Sequence, residues 1–472
     1  MSDPFVVVGG DAAGLSAASK ARREDPDREV IVFERGEWVS YAHCGMPYYV
    51  EGVVEDLTDL LALRPSDVED RGIDLRRNHE VIDLDPDDRT VTVRAESGGF
   101  EQPYGDLLIA TGARARRAPF DLGLTGAFTL HDMDDAAAIR AFLGDPETFD
   151  PEAVDEEFVD RDLVREYAAL DPPETAAIVG GGYVGVEMAE VLSAHDLDVH
   201  LFQRSEHVLA PFGPAVGERV GDHLESRGVA VHTGLGVKGL DGDDRLEAVV
   251  CDGERIPADL AVVGVGVIPN VEFVDDVLEL GRTGAIEADR YGRTSRDDVY
   301  AAGDCAETRH AVTGEATWIP LGLTANRAGR AVGATVAGDP TPVGEVAGTA
   351  VLKACDLTAG RTGIVDPEAA REAGFDPLTE TIEANSRAGY YPEGGTVRVT
   401  LTVDRPTGRV LGGSLASEYG EGAVHRSHAL VGAVTEGVAV DDLSNYDLAY
   451  APPFNTTWDP VLTAAKVVNG KR

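Results

Sequence analysis

The chain has 472 residues, 43% of them apolar, and 54 glycines; this leaves room for several domains with their own cores and argues against a disordered or fibrous protein. Its 41 Lys and Arg stand against 84 Asp and Glu, and a formal net charge of −43 makes nucleic acid and anionic membranes poor partners. No apolar run approaches the ~20 residues of a membrane-spanning helix, and four scattered cysteines without a Cys-x-x-Cys pair argue against a disulfide framework and a metal site.

The acids run along the whole chain, and only five of the cations are lysines, which reads as a solvated carboxylate surface of halophilic type. MSDPFVVVGG enters a strand with no basic region or cleavage site, so a soluble cytoplasmic protein is expected. PFVVVGGDAAGLSAASKARREDPDREVIVFERG then predicts a strand, a glycine turn, an alanine-rich helix and a second strand. Gly9 and Gly14 fit a phosphate-binding turn, although Asp11 stands where a middle glycine is usual. Glu34, at the end of the second strand, suits an unphosphorylated adenosine ribose.

SYAHCGMPYYV follows, with Cys44 at the start of a helical turn that favours the thiolate. LLIATGARAR gives a further strand-end turn at Thr111 and Gly112. An acidic, proline-bearing stretch from Gly144 to Glu174, including Pro146, predicts a helical insertion or linker. TAAIVGGGYVGVEMAEVLSAHDLDVHLFQRS repeats the first unit, and here Gly180, Gly182 and Gly185 complete the G-x-G-x-x-G turn. Its second strand ends on Gln203 and Arg204, a neutral residue beside a cation, which favours a ribose 2′-phosphate and hence NADPH over NADH. TSRDDVYAAGDC brings a short strand to Asp304, an acceptor for a ribityl hydroxyl. From about Gly338 a linker composition gives way to GTVRVTLTVD and VLGGSLAS, whose alternation predicts an antiparallel sheet.

Together and in this order the segments resemble the pyridine nucleotide–disulfide oxidoreductases, flavoproteins with two dinucleotide-binding domains. The resemblance implies an α/β fold: a discontinuous FAD domain (1–115 and 286–337), an NAD(P)H domain (116–285) and a C-terminal α+β dimerisation domain (338–472). Cys44 has Tyr49 where many members carry a second cysteine, so its segment resembles the single-cysteine branch, usually S-x-A-N-C-G-L-P-Y-Y, with His43 and Met46 as departures. That branch contains coenzyme A–disulfide reductases, NADH oxidases, NADH peroxidases and sulfur or polysulfide reductases. The peroxidases' histidine in the first glycine turn is replaced here by Ala12.

What the resemblance implies is an FAD-dependent, NADPH-preferring reductase of coenzyme A disulfide that works through a Cys44–CoA mixed disulfide. Ser16, Lys20, Arg23, Ser40 and His43 fall where coenzyme A is bound, with Arg64 and Arg76 as weaker candidates. Tyr183 is expected to gate the nicotinamide, with Glu187 nearby. Tyr391 and Tyr450 are expected to reach across a homodimer to the partner's thiol and protonate the departing coenzyme. The alternatives are an NAD(P)H oxidase cycling Cys44 through a sulfenic acid, a sulfur or polysulfide reductase, and a flavin-bearing redox sensor with little turnover.

Overall fold

The computed structural model describes residues 3–117, 119–120, 122–144 and 149–472. Phe5–Val8 is the middle strand of a five-stranded parallel sheet, flanked by Val30–Phe33 and Asp74–Arg76 on one side and Asp106–Ile109 and Val299–Ala301 on the other. FVVV and VIVF are buried at every position, as expected where both sheet faces are covered. A three-stranded antiparallel sheet contributes Val81, Val91 and Val93 to one face. The helix Ala12–Glu24 covers the other through Ala13, Ala17 and Ala21.

Against that first-unit helix lies Gly322–Val336, at a separation that only small residues permit. A Cβ added at Gly329 would stand 2.0 Å from the Ala13 carbonyl oxygen, and one at Gly333 would stand 2.3 Å from that of Ala17.

The second unit repeats the plan. Thr175–Val179 is central, with Asp198–Gln203 and Ala230–Thr233 on one side and Leu260–Val263 and Ala127–Phe128 on the other, all parallel. Its own antiparallel three-stranded sheet packs Val249 and Cys251 against Phe202 and Ala177. Within the acidic stretch, Arg161–Ala168 is a helix capped by Asp160, and Tyr167 packs its ring 5.0 Å from Phe128. Pro146 lies outside the described residues.

The last sheet is antiparallel, in the order Ala350–Ala354, Leu357–Gly363, Val410–Glu418, Thr396–Asp404, Pro377–Asn385. VLGGSLAS lies in an antiparallel sheet as its alternation predicts, and Val410–Glu418 is buried up to its last residue. It is the central strand, and the helices Ala423–Thr435 and Pro460–Lys471 belong to the same core. Among the described residues no helix is long and apolar enough to cross a membrane.

Candidate active site

Both glycine turns close in the same way. Gly9 and Gly180 each have φ +111°, and a Cβ at Gly14 or Gly185 would stand 1.9 or 1.8 Å from the carbonyl oxygen of Gly9 or Gly180. Each helix can therefore start hard against its strand only if that position is glycine. The strand-end residues also match: Glu34 accepts from the Gly10 N–H at 2.8 Å and Gln203 from the Gly181 N–H at 3.0 Å. Glu34 accepts a second bond from the Gly36 N–H at 2.9 Å, so much of its carboxylate serves the loop itself.

Arg204 is exposed and makes no ion pair among the described residues. Lys238, which sequence reasoning missed, flanks Gly236 together with the Arg204 side chain and holds Asp252 only at 4.0 Å. It enters from the strand Val237–Asp241, with no local signal linking it to the ribose end.

Cys44 sits in the 3-10 turn His43–Gly45, before the short helix Met46–Glu51. Leu60 packs closely on Gly45, and a Cβ there would lie 2.2 Å from a Leu60 methyl, which would have to shift. Three contacts pin the segment to the first glycine turn: Ser40 N–H to the Gly10 carbonyl (3.1 Å), Tyr41 N–H to Asp11 (3.1 Å), and His43 Nδ1 to Asp11 Oδ2 (3.3 Å). Ser40 takes a left-handed φ of 50° to make the corner. On the far side, His195 of the second unit donates from Nε2 to the Val50 carbonyl at 3.0 Å.

Two of the departures from the usual family pattern, Asp11 and His43, are thus neighbours. Burial pushes Asp11 up to about 7, helped by the carboxylates of Glu34 and Asp304, while burial and His131 press His43 down to about 4. Near neutral pH the imidazole is uncharged, so this 3.3 Å contact is not an ion pair.

The thiolate expectation is not met in the chain by itself. Burial, then the Glu187 carboxylate, raise the Cys44 thiol, and six helical residues do not outweigh them. The residue is nevertheless solvent-exposed. Glu187, one turn along the second-unit helix Tyr183–Ala194, is itself raised to about 7 by burial and by Glu190. Tyr183 opens that helix, its ring edge-on to Phe212 at 5.7 Å. Cys44, Cys251, Cys305 and Cys355 are all free thiols, and Cys251 and Cys305 are buried.

Ser16, Lys20 and Arg23 share the first-unit helix. Ser16 donates to the Asn326 amide oxygen at 2.7 Å, Lys20 pairs with Glu24, and Arg23 turns toward the Ser19 carbonyl. The helix contact adds Asn326 and Arg330 to this face, and Arg330 is near enough to stabilise the Glu24 carboxylate. No pattern near Ser16 announces them, since they lie some 310 residues away. Arg76 is occupied by Asp74 and the Phe33 ring, and Arg64 caps the helix Pro65–Glu69.

Tyr391 and Tyr450 are both part-exposed on the C-terminal sheet domain. The hydroxyl that meets Tyr450, at 3.5 Å, belongs to Tyr390, one residue before the predicted one. No hydrogen bond or ring contact joins either tyrosine to the Cys44 segment among the described residues.

The first unit fits FAD. The Asp304 carboxyl is buried to a pKa of about 6 and has no side-chain partner among the described residues, so it lacks an acceptor's usual donor. Gly112 has φ +67° and a Cβ there would meet nothing within 4 Å, which leaves an open backbone approach. Thr111 and Asn270 brace that turn by mutual bonds of 2.6 and 2.9 Å. In the second unit, Gly182 caps its helix with open space before it, as a dinucleotide backbone requires.

Family models for pyridine nucleotide-disulphide oxidoreductase and for that family's dimerisation domain match residues 3–329 and 349–460. A relative from Pyrococcus horikoshii, named NAD(P)H coenzyme A polysulfide/persulfide reductase, is 36% identical over 99% of both chains. One from Staphylococcus haemolyticus, named coenzyme A disulfide reductase, is 28% identical over 97% of both. The solved structure of an NAD-dependent persulfide reductase from A. fulgidus superposes with a TM-score of 0.90 at 34% identity, covering 99% of this chain and 83% of that one. The chain belongs to the pyridine nucleotide-disulphide oxidoreductases, flavin- and NAD(P)H-dependent enzymes, and carries that family's dimerisation domain.

Proposed function

We propose that the protein uses NADPH to reduce coenzyme A disulfide to two molecules of coenzyme A. The observation that carries this reading is a solvent-exposed Cys44 with no partner thiol of its own, pinned to the helix that presents Ser16, Lys20 and Arg23. Gly9, Gly14, Glu34, Thr111, Gly112 and Asp304 would hold FAD, which when bound supplies the two-electron relay between nicotinamide and disulfide. Gly180, Gly182, Gly185, Tyr183, Glu187 and Gln203 would hold the pyridine nucleotide, with Arg204 and Lys238 at its 2′-phosphate. The division into 1–115 with 286–337, 116–285 and 338–472 is supported by the return of Val299–Ala301 to the first sheet.

Chemically, the Cys44 thiolate attacks one sulfur of the disulfide, forming Cys44–S–S–CoA and expelling CoA–S⁻. Two electrons from NADPH then cleave the mixed disulfide, releasing the second CoA thiolate and regenerating the Cys44 thiolate. Ser16, Lys20 and Arg23, with Asn326 and Arg330, bind the coenzyme's phosphates; Ser40 and His43 line its thiol end. Tyr450 with Tyr391 or its neighbour Tyr390 would donate a proton to the leaving thiolate of a partner subunit. The exposed Tyr390, Tyr450, Phe454 and Trp458 support a homodimer, and four free thiols support a reducing cytoplasmic compartment.

A second reading, reduction of coenzyme A persulfide or polysulfide, is favoured by the name and higher identity of the Pyrococcus relative. Anaerobic NADPH oxidation with each acceptor decides between them. Turnover with coenzyme A disulfide, lost on the order of 10³-fold or more in Cys44→Ser, is expected. Turnover confined to polysulfide selects the second reading, and turnover only with oxygen removes both.

A further inference from the structure

In a chain with 84 acids, a cation packed into the interior is expected to find a carboxylate. Two arginines at one junction do not, and a histidine stands beside them. Arg361 lies in the strand Leu357–Gly363, Arg409 directly precedes Val410–Glu418, and His310 follows the short strand Thr308–Arg309. The connecting segment from Val346 to Gly348 ties them together. Ala311 N–H donates to the Val346 carbonyl at 2.8 Å and Gly363 N–H to that of Ala347 at 2.7 Å. A Cβ on Gly348 would stand 2.6 Å from Arg361 Nη2.

Each guanidinium spends one N–H group on a backbone carbonyl: Arg361 Nη2 on Gly363 at 3.2 Å, Arg409 Nη2 on Ala311 at 3.0 Å. The Nε of both is buried and without a partner, and neither arginine makes an ion pair among the described residues. The titratable group acting on Arg361 is the Tyr183 phenol, and burial lowers the arginine's own pKa. His310 feels both arginines and no carboxylate; these and burial lower its pKa. Its Nδ1 accepts from the Val312 N–H at 3.2 Å, so the neutral ring keeps its proton on Nε2 and offers a donor. A buried guanidinium N–H left without an acceptor costs free energy, and an anion that accepted from it would offset that cost.

We propose that His310, Arg361 and Arg409 form an anion seat at the junction of the flavin-binding unit and the C-terminal sheet, beside Tyr183. Its occupant is either a free inorganic anion or a phosphate of the pyridine dinucleotide, which share the same acceptor chemistry. The seat is independent of whether disulfide, persulfide or oxygen is the final acceptor.

The test uses crystals of the FAD-loaded full chain in sodium bromide, with and without NADP+. Anomalous density within hydrogen-bonding reach of the Arg361 or Arg409 guanidinium is expected without nucleotide, and is expected to disappear in Arg361→Met and Arg409→Met. Bromide displaced by a nucleotide phosphate identifies the dinucleotide as the occupant; bromide retained beside bound nucleotide identifies a free anion. No density near either guanidinium in both crystals, or density that persists in both variants, overturns the seat. In solution, bromide replacing glutamate at constant ionic strength should raise the melting temperature of the parent chain. Arg361→Met should need about tenfold more bromide for the same rise. Equal responses of the two proteins also overturn it.

Discussion

Asp11 sets up a pH dependence of flavin binding that can be worked out in advance. It stands at the N-terminus of the first-unit helix, where the FAD diphosphate would dock, and Glu34 and Asp304 already face it. An ionised Asp11 would oppose two phosphates in a partly buried site, so binding selects the protonated carboxyl. With Asp11 titrating at about 7, the competent fraction is ~0.9 at pH 6 and ~0.1 at pH 8. FAD affinity should therefore fall about tenfold over that interval, ~1.4 kcal/mol. His43, held near 4, stays neutral throughout and adds no slope in this window in the free protein. The assay is fluorescence titration of FAD into the deflavinated chain at pH 6, 7 and 8 in constant salt. Calorimetry in two buffers of different ionisation heat should show net proton uptake close to one proton at pH 8. Asp11→Asn, which keeps an acceptor for Tyr41 N–H but cannot ionise, should flatten the profile. A flat profile in the parent chain, or an unchanged slope in Asp11→Asn, would refute the reasoning.

Other outcomes follow from the same geometry. Arg204→Leu should weaken NADPH by about 10–100-fold while leaving NADH nearly unchanged, as measured by steady-state KM and direct binding; equal losses would remove the 2′-phosphate assignment. Glu187→Gln should speed iodoacetamide alkylation of Cys44 at pH 8, because the Glu187 carboxylate is one of the two causes holding the thiol up. In the parent chain that carboxylate is charged above about pH 7 and neutral below, so the two proteins should converge toward pH 6. Mass analysis of untreated protein should find a reductant-labile coenzyme A adduct on Cys44, and a peptide map placing it elsewhere counts against the mixed disulfide. With a net charge of −43, dilution into low salt should cost activity and lower the melting temperature, and stability independent of salt would contradict the halophilic reading.

The two βαβ units were legible because their information is local. Unbroken runs such as VVV and IVF, a glycine turn and an alanine-rich helix specify the strand–turn–helix geometry within about thirty residues. Cys44 was legible for the same reason. What escaped the sequence depends on contacts between distant segments. Asn326 and Arg330 come to the face of Ser16 only because Gly329 and Gly333 let two helices approach; Lys238 and Arg204 flank Gly236 from different sheets. Cys44 is held up by burial and by Glu187, which comes from the other unit, and Tyr390, whose hydroxyl meets that of Tyr450, carried no signal of its own in the sequence. Asp11 and His43 were each visible as a departure, but their pairing at 3.3 Å was not.

The paired strand ends sharpen how such a chain separates its two nucleotides. Glu34 and Gln203 occupy equivalent places and do the same structural job, each accepting the N–H of the glycine that follows the first turn glycine. A residue there must therefore carry an oxygen whatever nucleotide is bound, which leaves charge as the remaining variable. Glu34 is an acidic side chain that accepts two backbone bonds, and an acid there would disfavour a 2′-phosphate. Gln203 has no charge, and its amide nitrogen is turned onto Ser205, so on the proposed reading Arg204 and Lys238 would meet a 2′-phosphate unopposed by it. On this argument Gln203→Glu should keep the loop closed and the fold intact while shifting preference toward NADH. Loss of folding in that variant, with NADPH preference retained in whatever folds, would show that the oxygen and the charge are not separable at this position.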